Sequence, residues 1–183
     1  MNYGKALNQY LYAKSFGSSF DKGYMDDFII QYYEVDLPKV LEKLPKTFAD
    51  HYKEEDLYHD YYLDSINISG DFRDMTLTLN DRRPQGNTEF YQDTIVFHGV
   101  YPLHVEIDED DHLLLQGPSY NKQMLSMMIE LSKKQKNHFY CHLTMCSGRS
   151  ITWEFTKLDF HTELLPVIKN KPENQDGKIG RAI

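Results

Sequence analysis

Apolar positions in the first sixty or so residues recur with a helical period. Tyr3, Ala6, Leu7, Tyr10 and Leu11 follow the i, i+3, i+4, i+7 spacing that gathers side chains on one helical face. After the loop signal FGSSFDKG, a second stripe runs through Phe28, Ile29 and Tyr32. Asp36 followed by Pro38 predicts a fresh helix start, carried on through Leu37, Val40, Leu41 and Leu44 and ended by Pro45. A further short helix is predicted from Thr47 to Tyr58, with the Thr47 hydroxyl capping an otherwise unpaired backbone N–H.

From Leu63 onward the period changes to two. Leu63, Ser65, Asn67 and Ser69 alternate with Asp64, Ile66 and Ile68, and Met75, Leu77 and Leu79 alternate with Thr76 and Thr78. The intervening SGDFRD makes these two runs a hairpin. A polar turn, NDRRPQGN, precedes the strand TIVFHGV; a strand at Leu103 to Ile107, the acidic turn DEDD and the apolar run HLLLQ follow. Gly117-Pro118 then breaks the pattern. Ser119 is placed to cap a central helix containing Met124, Leu125, Met128, Ile129 and Leu131, with Lys133, Lys134 and Lys136 suiting the negative end of its dipole. The final hairpin is predicted to bury Phe139, Cys141, Leu143 and Met145 with Ile151, Trp153 and Phe155 across a Ser147-Gly148 turn. The fold class expected is α+β: one antiparallel sheet of about six to seven strands, with N-terminal helices and one central helix packed on it. A single domain over 1–168, helical over 1–60 and sheet-rich over 63–160, is expected to end in a mobile tail, 169–183.

Composition narrows the function. The chain has 183 residues, 40% of them hydrophobic, enough for one domain with its own core and no need of a disulfide or structural metal. Twenty Lys and Arg against 28 Asp and Glu give a net charge of -8, a poor footing for a phosphate backbone, so direct nucleic-acid binding is not expected. The N-terminus lacks a signal-peptide apolar stretch and no window reaches membrane-span length, so a cytoplasmic protein without membrane attachment is expected. Two cysteines, Cys141 and Cys146, are too few for a disulfide framework and are expected reduced.

Three groups of residues have metal-ligand chemistry. His51, Glu55 and His59 would share one face at i, i+4, i+8 if the helix ran that far, with Asp60 adjacent; that set is the basis for an alternative reading as a metal-dependent hydrolase. The His-Asp order is similar to that of metal phosphohydrolases, whose all-helical fold conflicts with the strands that follow. His138, Cys141, His142 and Cys146 are zinc-type residues in the wrong pattern, because a strand sends His138 and His142 to the face opposite Cys141. Asp108, Glu109, Asp110, Asp111 and His112 lack the spacing and glycine of a calcium loop. Neither a nucleophile elbow nor a phosphate-cradling glycine loop is present, so no catalytic residue, cofactor or metal is assigned and a non-enzymatic role is expected.

Charge distribution says more than any motif. From Pro84 to Asn121 there is no Lys or Arg, while Glu89, Asp93, Glu106, Asp108, Glu109, Asp110 and Asp111 supply seven acids. Asp50, Glu54, Glu55, Asp56, Asp60 and Asp64 add six more against Lys53. If the two stretches share a face, their field attracts a basic protein and accelerates docking. The candidate contact residues are Glu106, Asp108, Glu109, Asp110 and Asp111, with Tyr101 as an aromatic anchor. An excess of tyrosine, 14 in all, suits such an interface, because the side chain combines contact area with a polar tip.

The stretch from Tyr58 to Val105 carries a His-Asp pair, a strand, a Gly-Asp turn, a second alternating strand and an F-x-G-V strand. Its positions are His59, Asp60, Ile66, Ile68, Gly70, Asp71, Leu77, Leu79, Phe97, Gly99 and Val100. This pattern resembles small, mostly uncharacterised bacterial domains, some linked to immunity proteins of polymorphic toxin systems. The resemblance implies an antiparallel sheet with helices on one side and a binding role, and it carries no active site with it. The reading that results is an acidic module, an immunity or inhibitor protein that neutralises a basic toxin or nuclease. A phage-type inhibitor imitating the charge of DNA is a further alternative.

Overall fold

The computed structural model describes residues 27, 30–81, 89–101, 103–106, 123–145 and 149–166. The fold is α+β, built on two four-stranded antiparallel sheets. Sheet A has the order β1 (Tyr62–Ile68), β2 (Asp74–Asn80), β3 (Glu89–His98), β8 (Lys157–Pro166). Sheet B has the order β4 (Leu103–Glu106), β7 (Ser150–Phe155), β6 (Phe139–Met145), β5 (Met124–Leu131). Among the described residues, eight strands in two sheets thus replace the single smaller sheet expected from sequence.

The helical residues come first. A widened π-helical turn, Gln31–Asp36, runs straight into α1, Leu37–Leu41, so Asp36 continues a helix and caps nothing with its side chain. Pro38 explains the widening: it has no N–H for the carbonyl four residues back, and its ring crowds that carbonyl, so Leu37 N bonds Tyr32 O five residues back instead. Pro45 separates α1 from α2, Lys46–Glu54, and stands at the N-cap position, where Thr47 was expected to act. The helix stops at Glu54, before the expected Tyr58. Beyond it Asp56, Leu57 and Tyr58 take φ of 42°, 59° and 60°, a left-handed turn that buries Leu57 and Tyr58. Each such residue costs about 1–2 kcal/mol, so the burial of those two side chains must hold the turn in place.

The expected central helix is strand β5. Met127, Ile129 and Leu131 lie opposite Leu143, Cys141 and Phe139 of β6, so the run alternates with period two across a pair of strands. The helical pattern arose because both faces are apolar near Met128, which is also fully buried, and a run apolar on both faces satisfies either period. The three lysines after it occupy the β5–β6 connection rather than a helix end. The final hairpin pairs as expected, Phe139 with Phe155, Cys141 with Trp153 and Leu143 with Ile151. The hairpin across SGDFRD pairs β1 with β2, and Met75, Leu77 and Leu79 are fully buried. In β1 a register shift between Leu63 and Ser65 changes the phase, so Leu63 and Ile66 both pack on the core although their sequence spacing puts them on opposite faces. The helix at Tyr3 to Leu11, the run HLLLQ, the Ser119 cap, the Ser147-Gly148 turn and the tail 169–183 lie outside the described residues.

The two sheets meet through a bent ribbon. In sheet A His98 lies opposite Lys157, and in sheet B Leu103 lies opposite Trp153, so β3–β4 and β8–β7 form one antiparallel pair that changes sheet at Gly99 and Thr156. The bend is closed by Thr156 N to His98 O at 2.9 Å and Tyr101 N to Glu154 O at 3.0 Å. Gly99 sits at φ 65°, and a Cβ there would stand 2.7 Å from the Thr156 hydroxyl, so the corner requires glycine. Phe97 crosses the sheets, edge-on to Trp153 at 5.1 Å and to Phe155 at 4.9 Å.

The helical segment covers the free edge of β5. Tyr32 donates its hydroxyl to Ile129 O at 3.0 Å, Tyr52 donates to Met127 O at 2.5 Å, and Asp60 N donates to Met124 O at 3.2 Å. Carbonyls that would otherwise face solvent or a foreign strand are thereby satisfied. Tyr52→Phe keeps the ring and strands Met127 O; a loss of about 1–3 kcal/mol is expected in urea denaturation. Gly99→Ala is expected to lose a similar amount, about 1–3 kcal/mol, from backbone strain and the Thr156 clash.

Candidate functional site

Two places in the described structure hold side chains that the core alone does not account for. One is buried under α2, and the other is the exposed end where the ribbon bends.

The buried place centres on Asp93. It lies on the inner face of β3, in phase with Ile95 and Phe97, and is 0% exposed. His51 reaches it from α2, with Nε2 donating to Asp93 Oδ2 at 2.6 Å, and the His51 side chain is 13% exposed. Tyr58, delivered by the left-handed turn, packs its ring 5.9 Å from His51 and 4.9 Å from Tyr61. Burial alone would lower the pKa of His51, but the Asp93 hydrogen bond and charge, helped by Glu55 and Glu54, outweigh it and raise the value. The Tyr58 hydroxyl is pushed well above the ordinary phenol range, first by burial and then by the Asp93 charge; Tyr61 is raised by the same causes, with Glu55 and Asp81 contributing. Among the described residues Asp93 Oδ1 and the Tyr58 hydroxyl make no hydrogen bond of standard geometry.

This arrangement corrects two sequence readings. Asp93 is the buried partner of a histidine, so it leaves the set of surface acids. His51, Glu55 and His59 share no helical face, because α2 ends at Glu54 and the left-handed turn follows; Glu55 caps the helix end, and His59 Nδ1 lies 3.2 Å from Asp60 Oδ2. Asp60 also accepts from Gln123 Nε2 at 2.9 Å. Cys141 is buried on the inner face of β6, its thiol pKa raised well above normal chiefly by burial, while His142 lies on the opposite face as strand geometry requires. Among the described residues no three His, Cys, Asp or Glu side chains stand in a metal-holding arrangement.

The exposed end is built by the β1–β2 tip and the ribbon bend. Ser69 and Asp71 fold the tip: Ser69 Oγ donates to Asp71 Oδ1 at 2.6 Å and accepts from Asp74 N at 2.9 Å, and Phe72 N donates to Ser69 O at 2.9 Å. These bonds hold Phe72 at φ 59°, an unusual conformation for an aromatic residue, with 76% of it exposed. Arg73 O accepts from Val100 N at 2.8 Å, which sets the tip beside the bend and beside Tyr101, 81% exposed. Ile68, exposed, lies at the same end of β1. Three carboxylates accompany them. Asp71 is held below the usual carboxylate range by the Ser69 and Arg73 N–H hydrogen bonds, and Asp159 by Lys157 and His98. The third, Asp74, bonds His98 Nδ1 at 3.1 Å.

Of the sequence-derived contact residues, the structure thus places Tyr101 at an exposed aromatic end. Glu106 ends β4, and Asp108, Glu109, Asp110 and Asp111 lie outside the described residues. The acids of residues 50–64 do not adjoin Tyr101: they lie on α2, the turn after it and the start of β1, toward Asp93, and five strand residues, about 17 Å, separate Asp93 from His98 at the Tyr101 end. Phe72 was missed in the sequence, although an aromatic residue within a polar hairpin turn is itself a signal. Asp93 was missed as a buried group, although it keeps phase with Ile95 and Phe97.

The raised pKa of His51 has a pH consequence. Over the window between the unfolded value, about 6.5, and the higher folded value, the folded protein holds a proton that the unfolded chain has released. The pair's stabilisation is therefore complete below that window and is lost as pH rises through the folded value. The urea midpoint is expected to fall across it in the native protein and to fall less in His51→Gln, which keeps a donor to Asp93 but does not titrate. Equal slopes contradict the assignment.

No family model matches the chain, and no curated protein does. Among solved structures it is similar to the crystal structure of an uncharacterised protein from Neisseria gonorrhoeae, at 17% identity and a TM-score of 0.41, over 56% of this chain and 91% of that one. No helix among the described residues is long and apolar enough to cross a membrane.

Proposed function

We propose that the protein is an acidic binding module that docks a basic protein partner through the end bearing Phe72 and Tyr101, acting in the cytoplasm as an immunity or inhibitor protein that occludes a toxin or nuclease. The observation that carries this reading is the pairing of two highly exposed aromatic side chains on backbone that hydrogen bonds hold fixed. Rigid aromatic anchors lose little conformational entropy on binding and supply most of the energy of many interfaces. Exposing them in the free protein costs solvation, and holding Phe72 at positive φ costs about 1 kcal/mol or more, so a packing role does not account for the tip. The net charge of -8 supports a partner of opposite sign, because the field of the whole molecule steers encounter even where the contact residues are mixed. Of the carboxylates at this end, Asp74 and Asp159 bond His98, Asp159 also pairs with Lys157, and Asp71 accepts from Ser69.

The test is photo-crosslinking in the organism of origin, with a benzophenone amino acid placed at Tyr101 and, as control, at the exposed Glu163 on β8. A basic protein crosslinked from Tyr101 and absent from Glu163 is the expected result. With that protein purified, Tyr101→Ala and Phe72→Ala are each expected to weaken binding at least about tenfold, with thermal stability unchanged and association slower at high salt. Crosslinking equal at the two positions, or an acidic captured protein, contradicts the reading.

A further inference from the structure

The exposed end rests on a histidine clip. His98, the last residue of β3, places Nδ1 3.1 Å from Asp74 Oδ1 on β2 and Nε2 2.9 Å from Asp159 Oδ2 on β8. One ring therefore ties three adjacent strands of sheet A at the edge where Phe72 and Tyr101 emerge. A neutral imidazole carries one N–H, and carboxylates only accept, so both contacts are hydrogen bonds only when the ring holds two protons. Loss of either proton sets a ring lone pair against a carboxylate oxygen at about 3 Å, and one of the two contacts must open.

We propose that His98 is a proton-operated clip that sets the geometry of the Phe72 and Tyr101 end. This rests on the reading of that end as a docking surface and adds its regulation. The route from ring to anchors is short. Asp74 follows Arg73, whose carbonyl accepts from Val100 N, and Asp74 N is held by Ser69 Oγ at the foot of the tip that carries Phe72. On the other side, Thr156 N and the Thr156 hydroxyl both donate to His98 O, at 2.9 Å and 3.1 Å, beside the bend that carries Tyr101. The charged groups facing the ring are Asp74 from β2 and Asp159 from β8, and Lys157 Nζ, 3.0 Å from Asp159 Oδ1, competes for the second of these. Because Lys157 keeps Asp159 partnered when the ring is neutral, the one remaining N–H stays with Asp74 and the Asp159 contact is the one that opens, which directs the change toward β8 and the bend that carries Tyr101. Protonation closes the clip and fixes the anchors; deprotonation loosens them.

The experiment needs no partner. Amide and ring resonances of the full chain are followed by NMR across a pH series. The amides of Phe72, Arg73 and Tyr101 are expected to shift with the same midpoint as the His98 ring protons, and these shifts are expected to vanish in His98→Gln while persisting in His104→Gln, the control on neighbouring β4. A midpoint at Phe72 and Tyr101 different from that of the His98 ring, or a response abolished by His104→Gln, overturns the proposal, and the native-protein comparison decides even if a variant fails to fold. Failure of this test leaves the crosslinking result at Tyr101 standing, so the clip and the docking surface are judged separately.

Discussion

Two neighbouring side chains on one helix hold the two sheets in their relation. On α2, His51 and Tyr52 project about 100° apart around the axis, so consecutive residues reach different layers. His51 bonds the buried carboxylate of Asp93 in sheet A, and Tyr52 bonds the Met127 carbonyl at the edge of sheet B. Phe48, one turn earlier, stacks on Tyr52 and meets Phe160 of β8 edge-on. Helix α2 thus contacts both sheets with polar bonds as well as apolar surface. Polar bonds fix direction, which hydrophobic contact alone does not.

That fixed helix accounts for features that would otherwise be unconnected. The left-handed turn at Asp56 to Tyr58 is unfavourable alone, yet it is the path by which the chain leaves α2, returns Tyr58 toward Asp93 and reaches β1. Tyr61 O then accepts from Met124 N and Asp60 N donates to Met124 O, so the start of β1 is tied to the start of β5. The sheets are joined there and, on the other side, by the ribbon bent at Gly99. A long unpaired edge on β5 would be a template for association with other chains; among the described residues, tyrosine hydroxyls bond carbonyls along it. The tyrosine-rich composition has in this a structural use, at Tyr32 and Tyr52.

How far the sequence revealed this fold depends on which physical signal each element carries. Strands with one apolar face, such as Met75, Leu77 and Leu79 or Phe139, Cys141 and Leu143, were legible because period-two burial is written directly in the residues. Strand β5 was not, because burial on both faces erases the period, and only pairing with β6 decides it. The end of α2 was misplaced because a left-handed turn of three non-glycine residues runs against local preference and is held by tertiary burial of Leu57 and Tyr58. The His51 and Asp93 pair spans 42 residues, and no local pattern encodes such a contact. At the exposed end Phe72, an aromatic residue within a polar hairpin turn, carried a signal in the sequence, but the degree of its exposure follows from the Ser69 and Asp71 bonds that shape the tip.

Helix α2 and sheet B behave as one unit because Tyr52 of α2 binds the β5 edge. Native-state hydrogen exchange tests it most directly. The slowest amides of α2 and of β5 are expected to exchange with the same opening free energy, equal to that of global unfolding. Exchange of α2 at a much lower opening free energy than β5, with the β5 amides still fully protected, would contradict it.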